Sequence, residues 1–71
     1  MSSNFLDGLA HILGVAPAKL QPEFRLSEAN WDSVAVMSTI ALIDEHRGIT
    51  VSGTTVSACK TVADILKLAD L

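Results

Sequence analysis

Apolar residues recur at intervals of three and four in three stretches of the chain. Phe5, Leu9, Ile12 and Leu13 form the first stripe, with the spacing that lines one face of an α-helix. The pattern predicts a helix from about Ser3 to Leu13, with Asn4 as N-cap, Asp7 three residues later in a capping-box-like arrangement, and Gly14 as the stop. Asp7 and His11 fall between the apolar positions and are expected to face water.

From Gly14 to Trp31 no period is sustained, and Pro17 and Pro22 interrupt any helix. This stretch reads as a long loop pinned by Val15, Leu20, Phe24 and Leu26. Structureless loops of such length are uncommon in compact domains, which favours a functional loop. Helical spacing resumes at Asp32-Ser33 and runs to about His46, with Asp32 as N-cap and Gly48 as the end. The polar stretch Ser52–Ser57 allows one brief turn. Thr61 and Asp64 then form a T-x-x-D capping box ahead of a last helix whose inner face is Val62, Ile65, Leu66 and Ala69. With no repeat and no linker, these elements predict an all-α bundle of three or four helices in one domain, 1–71.

The second helix is apolar over more of its circumference than a single core contact requires. Val36, Ile40 and Ile43 suffice as that contact, whereas Val34, Met37 and Ala41 carry the apolar arc around towards Ser33 and Asp44. Either neighbours touch this helix on several sides, or the extra arc is a docking strip, with a serine hydroxyl at one end and acidic residues at the other.

Composition narrows the choice. A chain of 71 residues leaves much of its surface exposed and has no second domain to wall a cleft, so unaided catalysis is disfavoured. The hydrophobic fraction of 49% excludes disorder. Cys59 is the only cysteine, which rules out an internal disulfide or a cysteine-based zinc cluster, and His11 and His46 have no metal-ligand spacing. A net charge of −3 with scattered basic residues argues against nucleic acid or an anionic membrane as partner. No apolar run is long enough for a membrane span, and the acidic N-terminus carrying Asp7 is unlike a signal peptide. A cytoplasmic, monomeric protein is expected.

Ser33 is expected as the first residue of its helix, where free backbone amides and the helix dipole favour an anion. A phosphodiester on its oxygen suits that place. No His or Lys is positioned by any motif as its base, and no glycine-rich elbow surrounds it, so the serine reads as modified and not as a nucleophile. Asp-Ser before an apolar helix is weak evidence alone, since both are ordinary helix-start residues.

In order and spacing, however, the sequence resembles the acyl carrier protein family, including the carrier domains of polyketide and nonribosomal peptide synthesis. The likeness runs through Leu13-Gly14-Val15, Phe24, and Asp32-Ser33-Val34, which is similar to the family's D-S-L attachment motif. It continues through Ile40, Ile43, Asp44 and Glu45, then Gly48-Ile49-Thr50-Val51, and Lys60-Thr61-Val62-Ala63-Asp64. The resemblance implies a four-helix bundle with a long first loop and a short third helix, and 4′-phosphopantetheine from coenzyme A esterified to Ser33, with Asp32 as flanking residue. The arm's thiol would carry an acyl or aminoacyl thioester while visiting enzymes do the chemistry. The implied partners are a phosphopantetheinyl transferase, an acyl-loading ligase or transferase, and downstream biosynthetic enzymes.

Five positions depart from the family pattern. Trp31 stands where many members have glycine, Ala35 and Ser38 where acidic residues are frequent, Arg47 where a core aromatic is common, and Cys59 where a branched apolar residue is usual. Arg47 is expected to snorkel, and Cys59 to be a small buried hydrophobe. The main charges on the second helix are then Asp44 and Glu45, and the docking set is Val34, Met37, Ala41, Asp44 and Glu45. Ile40, Ile43, Val51, Cys59 and Val62 are candidates to line an apolar interior for cargo. The leading expectation is a stand-alone phosphoprotein carrier of thioester intermediates, its sparse acidity tilting it from central fatty-acid synthesis towards a specialised lipid, polyketide or other pathway. The alternatives are a carrier-like interaction module without the arm and, less favoured, a hydrolase using Ser33.

Overall fold

The computed structural model describes residues 2–71, with side chains from Asn4 onward. Four helices follow one another: α1 (Ser2–Leu13), α2 (Ser33–Arg47), α3 (Gly53–Ser57) and α4 (Val62–Leu68). This is the expected small helical bundle with a long first connection and a short third helix. Helix α1 packs on α2, and α2 on α3.

The stripes read from the sequence close into one core. Phe5, Leu9 and Leu13 of α1 meet Ile43 of α2, Val56 of α3, and Val62 and Ile65 of α4, all buried. Helix α1 begins at Ser2, so Asn4 lies inside its first turn and is not the N-cap. Asp7 and His11 face solvent as expected. Gly14 and Gly48 follow α1 and α2 with φ of 71° and 65°, the left-handed conformation that glycine adopts without a Cβ penalty.

The first connection is more ordered than its irregular pattern suggested. It contains two 3-10 turns, Pro17–Lys19 and Leu26–Glu28, and Leu20 and Leu26 are buried anchors. Its second half is tied to the start of α4. Leu26 N–H donates to the Lys60 carbonyl at 2.9 Å, Val62 N–H to Phe24 at 3.0 Å, and Ala63 N–H to Pro22 at 2.9 Å, around an isolated Arg25–Thr61 bridge. Two of the amides that a helix N-terminus leaves unpaired are thus satisfied by loop carbonyls. Thr61 and Asp64 complete the cap: Asp64 N–H donates to Thr61 Oγ1 at 3.4 Å, while Thr61 N–H and Lys60 N–H donate to Asp64 Oδ2 at 3.3 and 3.0 Å. These amide donors hold the Asp64 carboxyl below its ordinary value, Lys60 contributing most.

Arg47 is resolved by a contact that no local pattern announces. Its side chain, 39% exposed, reaches the C-terminal segment, where Nε donates to the Ala69 carbonyl at 3.0 Å and the guanidinium pairs with Asp70 at 3.5 Å. The arginine closes the end of α2 over the end of α4, in place of an aromatic core residue.

Candidate functional site

Helix α2 starts where the Asp-Ser dipeptide predicts. The carboxylate of Asp32 accepts from Ala35 N–H at 2.9 Å, which makes Asp32 the N-cap and Ser33 the first helical residue. Ser33 is exposed. Whereas α4 has its leading amides taken by loop carbonyls, the Ser33 and Val34 amides have no acceptor among the described residues. The positive end of a fifteen-residue helix therefore opens to solvent beside a free hydroxyl.

The helix presents two unlike faces, and the division differs from the one drawn on the sequence. The buried stripe is Ala35, Thr39, Leu42 and Ile43, and Val36 and Ile40 only flank it, half-buried. Thr39 is 0% exposed, yet satisfied, because its Oγ1 donates to the Ala35 carbonyl at 2.8 Å. Ala35, at a position where an acidic docking residue is frequent in the family it resembles, instead points into the core. Ser38 is half-buried. On the opposite face Val34 and Met37 are 68% and 69% exposed, and Ala41, Asp44 and Glu45 are exposed alongside them.

A shallow groove of about 540 Å³ adjoins Ser33. Trp31, Asp32, Ser33, Val36 and Met37 form one side, and Gly53, Thr54 and Ser57 of α3 the other. Beyond Trp31 lies a second cleft of about 530 Å³, lined by Arg25, Ser27, Trp31, Cys59, Lys60 and Thr61. The indole is the wall between the two. Its Nε1 is buried with no hydrogen-bond acceptor in the protein.

The residues considered as an interior cargo lining are spread over different depths. Ile43 and Val62 are fully buried in the closed core, whereas Ile40, Val51 and Cys59 sit half-buried at its margin. Cys59 is therefore not the core hydrophobe expected. Its thiol donates to the Thr55 carbonyl at 3.6 Å, and burial, then the nearby Asp64 charge, push its pKa up, which disfavours the reactive thiolate. His46 is exposed with its ring edge-on to Phe5 at 5.8 Å. Among the described residues no cluster of three metal-ligating side chains occurs, and no helix is long and apolar enough to cross a membrane.

Several of these features were not read from the sequence. The burial of Thr39 was signalled, since residues 35, 39, 42 and 43 have i, i+4, i+7, i+8 spacing. The second cleft was not, because it joins loop residues with the start of α4 through backbone bonds that leave no periodic trace.

The family model described as the phosphopantetheine attachment site matches residues 5–69, nearly the whole chain, and the protein belongs to that family of carriers. The family's prosthetic group is 4′-phosphopantetheine, and its domains carry intermediates for other enzymes without being catalytic themselves. Neither curated proteins nor solved structures gave a significant match.

Proposed function

We propose that Ser33 is the residue to which the arm is esterified, and that the chain presents an arm-borne acyl or related thioester to partner enzymes. The observation that carries this reading is the exposed Ser33 hydroxyl at the open N-terminus of α2. The local chemistry fits a phosphodiester: the two free amides at Ser33 and Val34 are donors for its oxygens, and the helix dipole favours its charge by about 0.3–1 kcal/mol. Asp32 holds the backbone start in place, and its carboxylate is occupied by the Ala35 amide. The neighbouring groove offers an apolar side in Trp31, Val36 and Met37 and hydroxyls in Thr54 and Ser57 for a long polar-apolar chain. When bound, the arm supplies a thiol that holds its cargo as a thioester.

The exposed strip Val34-Met37-Ala41, with Asp44 and Glu45 beyond it, is the surface we assign to the transferase, the loading enzyme and later enzymes. A small apolar patch fringed by acidic groups suits partners with an apolar centre and a basic rim. In this reading the chain itself turns over no substrate. The sparse acidity of α2 favours a specialised pathway over central fatty-acid synthesis, so dedicated ligases should load it better than a fatty-acid malonyl transferase.

Intact mass after incubation with coenzyme A and a broad-specificity phosphopantetheinyl transferase tests the assignment. A gain of one phosphopantetheinyl unit, lost in Ser33→Ala, is expected. A folded wild-type chain that starts unmodified and gains nothing would favour an interaction module without the arm.

A further inference from the structure

The cleft beyond Trp31 is rich in donors and poor in acceptors. Arg25 and Lys60 are exposed and enter it from opposite segments, the first connection and the start of α4. Neither is paired: among the described residues the ion pair is Arg47–Asp70. The Trp31 N–H is closed to solvent, so what the indole offers the cleft is its aromatic surface. Ser27 adds a hydroxyl, whereas Thr61 Oγ1 is engaged with the Asp64 amide.

Nearby acids do not neutralise this set. Asp64 has one carboxylate oxygen occupied by two backbone amides, and neither it nor Glu23 or Glu28 lines the cleft. In a chain of net charge −3, two of the five basic side chains therefore converge on one concave site with an aromatic wall. Two cations beside an aromatic surface suit an oxyanion that carries an apolar stem.

We infer that this cleft receives the terminal carboxylate of a dicarboxylic acyl group of four or more carbons, longer than malonyl, carried on the arm, the indole covering its methylene portion and Arg25 and Lys60 meeting its charge. This rests on the attachment proposed above. Ser33 borders the adjoining groove and not this cleft, so the anion that enters is one at the far end of an arm, not the one next to the serine. The inference narrows the cargo class from any acyl group to one with a second acidic end.

Trp31 is the only tryptophan and tyrosine is absent, so indole fluorescence and the indole ¹H–¹⁵N resonance report on this wall alone. Apo protein is titrated with S-succinyl-pantetheine and with S-butyryl-pantetheine, which matches it in chain length but lacks the carboxylate. The succinyl probe should shift the indole resonance and the butyryl probe should bind more weakly. Arg25→Gln and Lys60→Gln should each weaken the succinyl probe by about twofold to fivefold at low salt, the range for exposed charge pairs, and less at high salt.

Equal responses to the two probes, or unchanged affinity in both glutamine variants, would overturn the inference. So would inorganic phosphate competing as well as the succinyl probe, which would mark a site for any small anion. Because free probes bind without Ser33 being modified, failure of loading would strike the attachment proposal, and failure of this titration would strike the cleft. Repeating the indole measurement on protein loaded with succinyl or butyryl groups should reproduce the difference; its absence on the arm would count against the cargo assignment.

Discussion

The two faces of α2 are both largely apolar, yet one is sealed and the other open. Ala35, Thr39, Leu42 and Ile43 are at most 9% exposed, whereas Val34 and Met37 are more than two-thirds exposed. Hydrophobicity does not decide between them, since the sealed face includes a threonine and the open face a valine and a methionine. Position does. The sealed residues fall at i, i+4, i+7 and i+8, on a helix that packs against α1 and α3; the open ones fall in register with Ser33, on the opposite face. Apolar side chains left open beside Ser33 are the surface that the proposed function assigns to visiting enzymes.

The largest effect should come from the sealed face. Ile43→Ala removes a fully buried side chain and should cost about 2–5 kcal/mol in chemical denaturation, a large part of the stability of so small a protein. Met37→Ala should stay within about 0.5 kcal/mol. Similar losses at the two sites would erase the distinction between the faces.

Asp32→Ala acts on the start common to both faces and should cost about 1 kcal/mol through the lost cap, with helicity falling modestly by circular dichroism. Thr39→Val sharpens the comparison from inside. Its hydroxyl bonds only the Ala35 carbonyl one turn back, so replacement by an isosteric methyl should change stability by less than about 1 kcal/mol. A much larger loss would mean that the hydroxyl holds more than its own helix.

The double variant Val34→Ser, Met37→Ser should also leave stability nearly unchanged, within about 1 kcal/mol by summing two surface substitutions. Its kcat/KM with the phosphopantetheinyl transferase should nevertheless fall by about threefold to tenfold, as expected for removing apolar contacts at the centre of an interface. Unchanged modification kinetics would remove the functional meaning of the open face.

A pH measurement contrasts the start of α2 with that of α4. Asp64 has its carboxyl lowered by two backbone donors, so its ionised form favours the folded state. That contribution is present above the ordinary carboxylate range and is lost as pH falls through the lowered folded value. Stability of the wild type should drop on acidification through this window. Asp64→Asn should lose that part of the slope, and an unaltered slope would contradict the capping role.

Much of this was legible in the chain because the signals were local. The Asp32 cap, the Thr61–Asp64 box and the stops at Gly14 and Gly48 each depend on residues within one turn of one another. The inner faces of α1 and α4 followed for the same reason, from spacing alone. A hydrophobic pattern misses the α2 stripe because Thr39 counts as polar, although in a helix its hydroxyl satisfies itself on the preceding turn. Asn4 is a cap by residue type alone, and the helix begins two residues earlier. Other features were not legible locally: the loop carbonyls that feed α4, the reach of Arg47 to Ala69 and Asp70, and the meeting of Arg25 with Lys60 depend on segments far apart in sequence.

At the candidate site, local reading placed Ser33 at the start of α2 but not Trp31 as a partition between two clefts. The indole occupies a position where glycine is common in the family the sequence resembles. Its bulk separates the groove beside the serine from the basic cleft.

The most direct test of the central claim is to locate the modification itself. Wild-type protein is loaded enzymatically with phosphopantetheine, digested, and the modified peptide fragmented. The mass increment should fall on Ser33 alone, and replacing Ser33 by alanine should leave every other serine unmodified. An increment on another residue, or one that persists in the alanine variant, would contradict the assignment of the open N-terminus of α2 as the attachment site.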